Sequence, residues 1–158
     1  MSFPAVRPLP SKMSAMVLQR YFERFLDPER LTPGIHLMLN AMQRRKGYGS
    51  SSNSLWNYLH PSGRERIFVI SERTLASYSY KLSEVLVYWD YAYTGPESPF
   101  PRNPLVSTAR YGEISACLDH CPPDLYIFDA SMEWTLIRTS GEQNDLGWTC
   151  FQIGPIGQ

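Results

Sequence analysis

Apolar positions first recur at helical spacing between Ser11 and Leu26. Val17, Leu18, Tyr21, Phe22 and Phe25 fall at i, i+1, i+4, i+5 and i+8 and make one stripe, with Gln19, Arg20, Glu23 and Arg24 opposite. The pattern predicts a helix from Ser11 or Ser14 to about Leu26, ended by Asp27-Pro28 because the residue before a proline is pushed out of the helical region. Thr32-Pro33 offers an N-cap and a proline at the first helical position of a second helix. Ile35, Met38, Leu39 and Met42 form its stripe, Arg44-Arg45-Lys46 suits the dipole of its last turn, and Gly47 stops it. A flexible loop is expected at 47–53, then one short helical turn around Leu55, Trp56 and Tyr58.

From Arg66 the period changes. Arg66 to Ile70 reads as a strand, Ser71 to Arg73 as a turn, and Leu75 to Lys81 as a return strand, so a hairpin is expected. Leu82, Val85, Leu86, Trp89 and Tyr93 recur at helical spacing with Ser83 as cap, which predicts a helix over 83–93. A strand stays open there, because Val85, Val87 and Trp89 also alternate. Residues 94–106, with four prolines, read as a long loop within one domain. A helix is expected over 110–121, with Ile114, Cys117, Leu118 and Cys121 inward and Pro122-Pro123 at its end.

The most informative stretch is 124–139, DLYIFDASMEWTLIRT: a short apolar run, a polar interruption at Asp129 to Glu133, and a resumption from Trp134 to Thr139. It contains no histidine, cysteine or glycine-rich loop, and it reads as a scaffold that displays carboxylates and aromatics. A polar turn at 140–147 and a last strand from Trp148 to Ile153, closed by Gly154-Pro155, complete the chain. The expected fold class is α+β: a mostly antiparallel sheet of about five strands with four or so helices packed against it. One domain over 1–158 is expected, with 1–11 an extended or disordered arm, since prolines at 4, 8 and 10 oppose a helix there.

Composition changes this picture in one respect. The chain has 158 residues, enough for a real core, with 43% apolar and 19% charged residues. Net charge is zero, yet residues 1–79 carry eleven Lys/Arg against five acids (+6), and residues 80–158 carry four against ten (−6). Such an imbalance either closes within the fold or offers a charged surface to a partner. Aromatic content of 13% fits a tyrosine-rich core and also fits aromatic contact anchors. Three cysteines and no apolar leader predict reduced thiols and a cytoplasmic location, and no apolar run approaches the ~20 residues that span a bilayer.

The candidate chemistry is sparse. Cys117, His120 and Cys121 would share a helix face and could take Cys150 as a fourth metal ligand. The two cysteines equally fit an apolar stripe, so no metal and no cofactor is expected. Asp129 and Glu133 could serve as an acid–base pair with His36, His60 or His120 in a small hydrolase, although acids in turns more often bond their own backbone. Arg44-Arg45-Lys46 could touch nucleic acid, but a solvated helix end accounts for it, and direct nucleic-acid binding is not expected.

Residues 124–142 (DLYIFDASMEWTLIRTSGE), followed by WTCFQIGP, resemble the C-terminal part of bacterial immunity proteins encoded beside polymorphic and contact-dependent toxins. Tyr126, Phe128, Asp129, Trp134, Thr135, Gly154 and Pro155 carry the resemblance, which covers about a quarter of the chain. Such proteins often have His-Glu after the Trp-Thr strand, where this chain has Ser140-Gly141-Glu142. The resemblance implies a non-enzymatic inhibitor that binds one cognate toxin protein. An acidic surface would complement the basic cleft of a toxin acting on nucleic acid or nucleotides. The partner-binding residues expected on that reading are Asp119, Asp124, Asp129, Glu133, Glu142 and Asp145, gathered at one end of the sheet.

Overall fold

The computed structural model describes residues 4–26, 67–89, 105–122, 124–139 and 149–156. The helix expected after Thr32, the loop at 47–53, the turn at 55–58, most of the proline-rich stretch and the polar turn at 140–147 lie outside them.

The class is α+β. Among the described residues seven strands form a single antiparallel sheet, against the about five that the sequence pattern suggests. In chain order the elements are β1 (Arg7–Pro8), α1 (Ser11–Phe25), β2 (Ile67–Ile70), α2 (Glu72–Ser77), β3 (Glu84–Trp89), β4 (Ser107–Arg110), α3 (Tyr111–Ser115), β5 (Leu125–Phe128), β6 (Thr135–Thr139) and β7 (Thr149–Ile153). Tight turns at Tyr78–Tyr80 and Leu118–His120 extend α2 and follow α3. Across the sheet the order is β1-β4-β3-β5-β6-β7-β2. The hairpin β5–β6 therefore holds the middle, with Tyr126 opposite Ile137 and Phe128 opposite Thr135.

Side-chain alternation divides the core in two. On one face Tyr88, Tyr126, Phe128, Ile137 and Ile153 pack beneath α1, whose buried residues are Ser14, Leu18, Tyr21, Phe22 and Phe25. The expected stripe is thus the packed one, with Val17 half-buried at its margin. On the other face Val85, Val87, Trp89, Leu125, Ile127, Leu136 and Cys150 pack beneath α2 and α3 through Leu75, Tyr111 and Ile114. We refer to these as the α1 face and the short-helix face.

Three expectations change. The helix expected over 83–93 is replaced in its described part by a strand: Glu84–Trp89 is β3, paired with both β4 and β5. A strand covered on both faces buries consecutive residues, so Val85, Val87 and Trp89 serve one face and Leu86 and Tyr88 the other, and the apolar run mimics a helical stripe. Residues after Ser71 do not return as a strand. Ser71 accepts a hydrogen bond from the Thr74 N–H at 3.0 Å and caps α2, with Glu72 in the first turn. The helix expected over 110–121 is only five residues long, ends at Ser115, and resumes as a tight turn at Leu118–His120. At the N-terminus, Arg7–Pro8 is extended and pairs with Ser107 and Thr108 at the sheet edge, followed by Leu9 donating to the Val106 carbonyl at 2.9 Å.

Candidate partner-binding surface

The turn between β5 and β6 is built around one carboxylate. Asp129 Oδ1 accepts from the Ser131 N–H at 2.9 Å and from the Ser131 hydroxyl, and Oδ2 accepts from Trp134 Nε1 at 3.1 Å. Ser131 Oγ in turn accepts from the Glu133 N–H at 3.2 Å, and Met132 donates its N–H to the Asp129 carbonyl at 3.1 Å. Met132 sits at φ 57°, a left-handed position that this web of bonds holds. The chain leaving β7 passes directly under the turn. Gly154 has φ +80°, and a Cβ there would stand 2.1 Å from the Glu133 carbonyl oxygen, so only glycine fits. Asp129 is therefore consumed by the turn, whereas Glu133, on the same turn, is exposed.

The acids do not gather at one end of the sheet. Asp129 and Glu133 follow β5, while Asp119 and Asp124 precede it, so the four-residue strand separates the pairs by roughly 13 Å at 3.3 Å per residue. Asp124 is buried, 4% exposed. The Asp119 side chain is 85% exposed and lies 3.5 Å from Arg138 Nη2. Glu142 and Asp145 fall outside the described residues. Exposed carboxylates thus stand at both ends of the central hairpin, Asp119 at one and Glu133 at the other.

Arg138 was not singled out by sequence reasoning. It lies on β6 with its side chain wholly buried on the short-helix face. Nε donates to Glu72 Oε1 at 2.8 Å and Nη1 to the Leu118 carbonyl at 2.9 Å. One guanidinium thereby ties the first turn of α2 and the turn after α3 to the middle of the sheet. A lone charge in an otherwise uncharged strand, Thr-Leu-Ile-Arg-Thr, is the signal that could have drawn attention, since a buried charge requires partners.

The three thiols are free and buried. Burial pushes Cys121 up to about 12; the neighbouring Cys117 adds to the shift and Arg138 opposes it. Burial likewise raises Cys150 to about 11, reinforced by Glu72 and opposed by Arg138. Cys117 is raised by burial as well, against a hydrogen bond with Cys121 that lowers it. The Cys117 and Cys121 thiols contact the Glu113 and Cys117 carbonyls at 3.0 and 3.4 Å. Protonated thiols held this way are packing groups rather than nucleophiles. Among the described residues no three His, Cys, Asp or Glu side chains come together as a metal would require. His120 is in the tight turn after α3, and His36 and His60 lie outside the described residues.

An open groove of about 600 Å³ runs beside the start of β3 and the end of β4, with Glu84, Arg110 and Glu113 on its walls. Its charged walls are of mixed sign. Among the described residues no helix is long and apolar enough to cross a membrane. Comparison with protein-family models, with curated proteins and with solved structures finds no match for this chain.

Proposed function

We propose that the chain is an immunity protein that binds and inhibits a cognate bacterial toxin domain, one acting on nucleic acid or nucleotides. The observation that carries the reading is where the residues of the family resemblance lie. Tyr126, Phe128, Trp134 and Thr135 are buried in the central hairpin, Asp129 ties its turn, and Gly154 lets β7 pass beneath it. These residues make a rigid mount, and the mount presents Glu133 to solvent at one end, with Asp119 at the other. Carboxylates held on a stiff platform, within a half-chain of net charge −6, suit a partner with a basic cleft and would accelerate its capture. On this reading the protein works in the cytoplasm, meets a protein partner rather than a membrane or nucleic acid, and uses no cofactor.

The test is to co-express the chain with the product of the adjacent gene, then measure killing, co-purification and affinity. Reversal of Glu133, Glu142 and Asp145 to lysine should leave the melting temperature unchanged. It should weaken toxin binding at least tenfold, mainly through a slower association rate whose salt dependence is reduced. A neighbouring product that neither binds the chain nor kills cells lacking it would remove the proposal. Unchanged affinity in the folded triple variant would remove these acids as the contact.

A further inference from the structure

The two edges of the sheet are finished in different ways. At one edge β1 is two residues long, and Arg7 and Pro8 end the ladder, since a proline has no N–H to offer and a charged side chain resists apolar stacking. At the other edge β2 is Ile67-Phe68-Val69-Ile70: four apolar residues, two of them exposed on opposite faces, Phe68 at 59% and Val69 at 72%. Its inner side pairs with β7 along its full length, from Ile67 opposite Ile153 to Ile70 opposite Cys150. Among the described residues nothing pairs with its outer side. An apolar, β-branched edge without proline or charge is what soluble proteins normally avoid leaving open.

We infer that β2 is a self-association site, at which a second copy of this chain adds its own β2 antiparallel to the first and joins the two sheets into one. The strand is complementary to itself. A two-fold axis perpendicular to the sheet keeps each side chain on its own face, so a residue must meet a residue of the same parity. The register with Phe68 on the axis sets Phe68 across from its own copy on one face and Ile67 across from Val69 on the other. It stays clear of the helical turn that begins at Glu72. Aromatic–aromatic and β-branched pairs are the favourable cross-strand neighbours, and with no charge in the strand no like charges oppose. Three residues a side, Ile67, Phe68 and Val69, pair in this register and make a small interface at the weak end of specific association, with a dissociation constant on the order of 100 μM.

The experiment uses the full chain without any partner, so its outcome is independent of toxin binding. Sedimentation velocity from about 5 μM to about 500 μM should show a monomer passing to a dimer and no further, at the affinity argued above. Val69→Lys should remain monomeric throughout while melting at the same temperature, as an exposed position allows. Phe68→Cys should cross-link with itself under copper–phenanthroline, because opposite residues in an antiparallel pair stand within disulfide reach. Tyr80→Cys, at a more exposed position (95%) away from β2, should not. The native thiols are buried and contribute no background. A monomer at every concentration, open-ended association, a dimer that survives Val69→Lys, or equal cross-linking of the two cysteine variants would each overturn the inference. Should Val69→Lys melt early, Phe68→Glu replaces it with the same expectation.

Discussion

The α1 face and the short-helix face share the same seven strands but are closed by different means. On the α1 face, among the described residues, one fifteen-residue helix lies across the sheet, and its contacts are largely aromatic. Tyr21 meets Phe25 at 4.8 Å and Phe128 at 4.6 Å between ring centroids, and edges against Tyr126 at 6.2 Å. Polar ties join it there: Tyr21 hydroxyl to Thr135 Oγ1 at 2.8 Å, and Ser14 Oγ accepting the Val106 N–H at 2.8 Å. On the short-helix face α2 and α3 have six and five residues, too short to persist by helical propensity. They are held by directed bonds as well as by Leu75, Tyr111 and Ile114. Arg138 reaches Glu72 and the Leu118 carbonyl, the buried Tyr111 hydroxyl donates to the Leu75 carbonyl, and Tyr78 donates to Gln152. A long amphipathic helix docks by area, whereas short ones are placed by specific partners.

That contrast can be broken from either side. Phe128→Ala removes a fully buried ring from the α1 face and should have the largest effect, about 3–5 kcal/mol in denaturant unfolding. Glu72→Ala should cost less, about 2–3 kcal/mol. It deprives a buried guanidinium of its nearest anion, but Glu72 is 43% exposed and the Leu118 carbonyl remains. The sharper measurement is the double variant Glu72→Ala/Arg138→Met, which should be more stable than Glu72→Ala alone because no buried charge is left behind. If the double variant is the weaker of the two, Arg138 holds the short helices through bonds other than that to Glu72.

The smallest effect is expected in alkali, and it belongs to the short-helix face alone. Cys150 and Cys121 hold their protons more tightly folded than unfolded, with values near 11 and 12 against an ordinary 9.0. Their contribution is fully present below pH 9 and is lost as pH rises through 11 and then 12. Tyr111, raised by burial and by Tyr78, acts in the same direction above its ordinary value of 10.0. Unfolding free energy should fall by about 1–2 kcal/mol from these thiols between pH 8.5 and 10. Cys121→Ala/Cys150→Ala should flatten that limb. An unchanged slope in that variant would show that the thiols do not couple folding to pH.

Where local pattern and final environment agree, the amino-acid order was enough. α1 has a single apolar stripe and a proline stop, and it folds as that stripe dictates. The hairpin β5–β6 and strand β7 were legible because a short apolar run, its polar interruption at Asp129 to Glu133 and the β-branched and aromatic residues that resume it all act over a few residues. Legibility failed where a residue's environment came from distant chain. β3 reads as a helix because it lies between two strands and two covered faces, which erases alternation. α2 was hidden because a Ser71 cap and a six-residue helix resemble a turn until Arg138, 66 residues away from Glu72, fixes them. The candidate site follows the same division. The sequence by itself determined which carboxylates this protein carries and that they crowd its second half. Only the tertiary structure decided that Asp124 is buried, that Asp129 is bound within its turn, and that Asp119 and Glu133 stand at opposite ends of one hairpin. Strand direction and long-range packing settle where a charge points, and neither is encoded in the residues beside it.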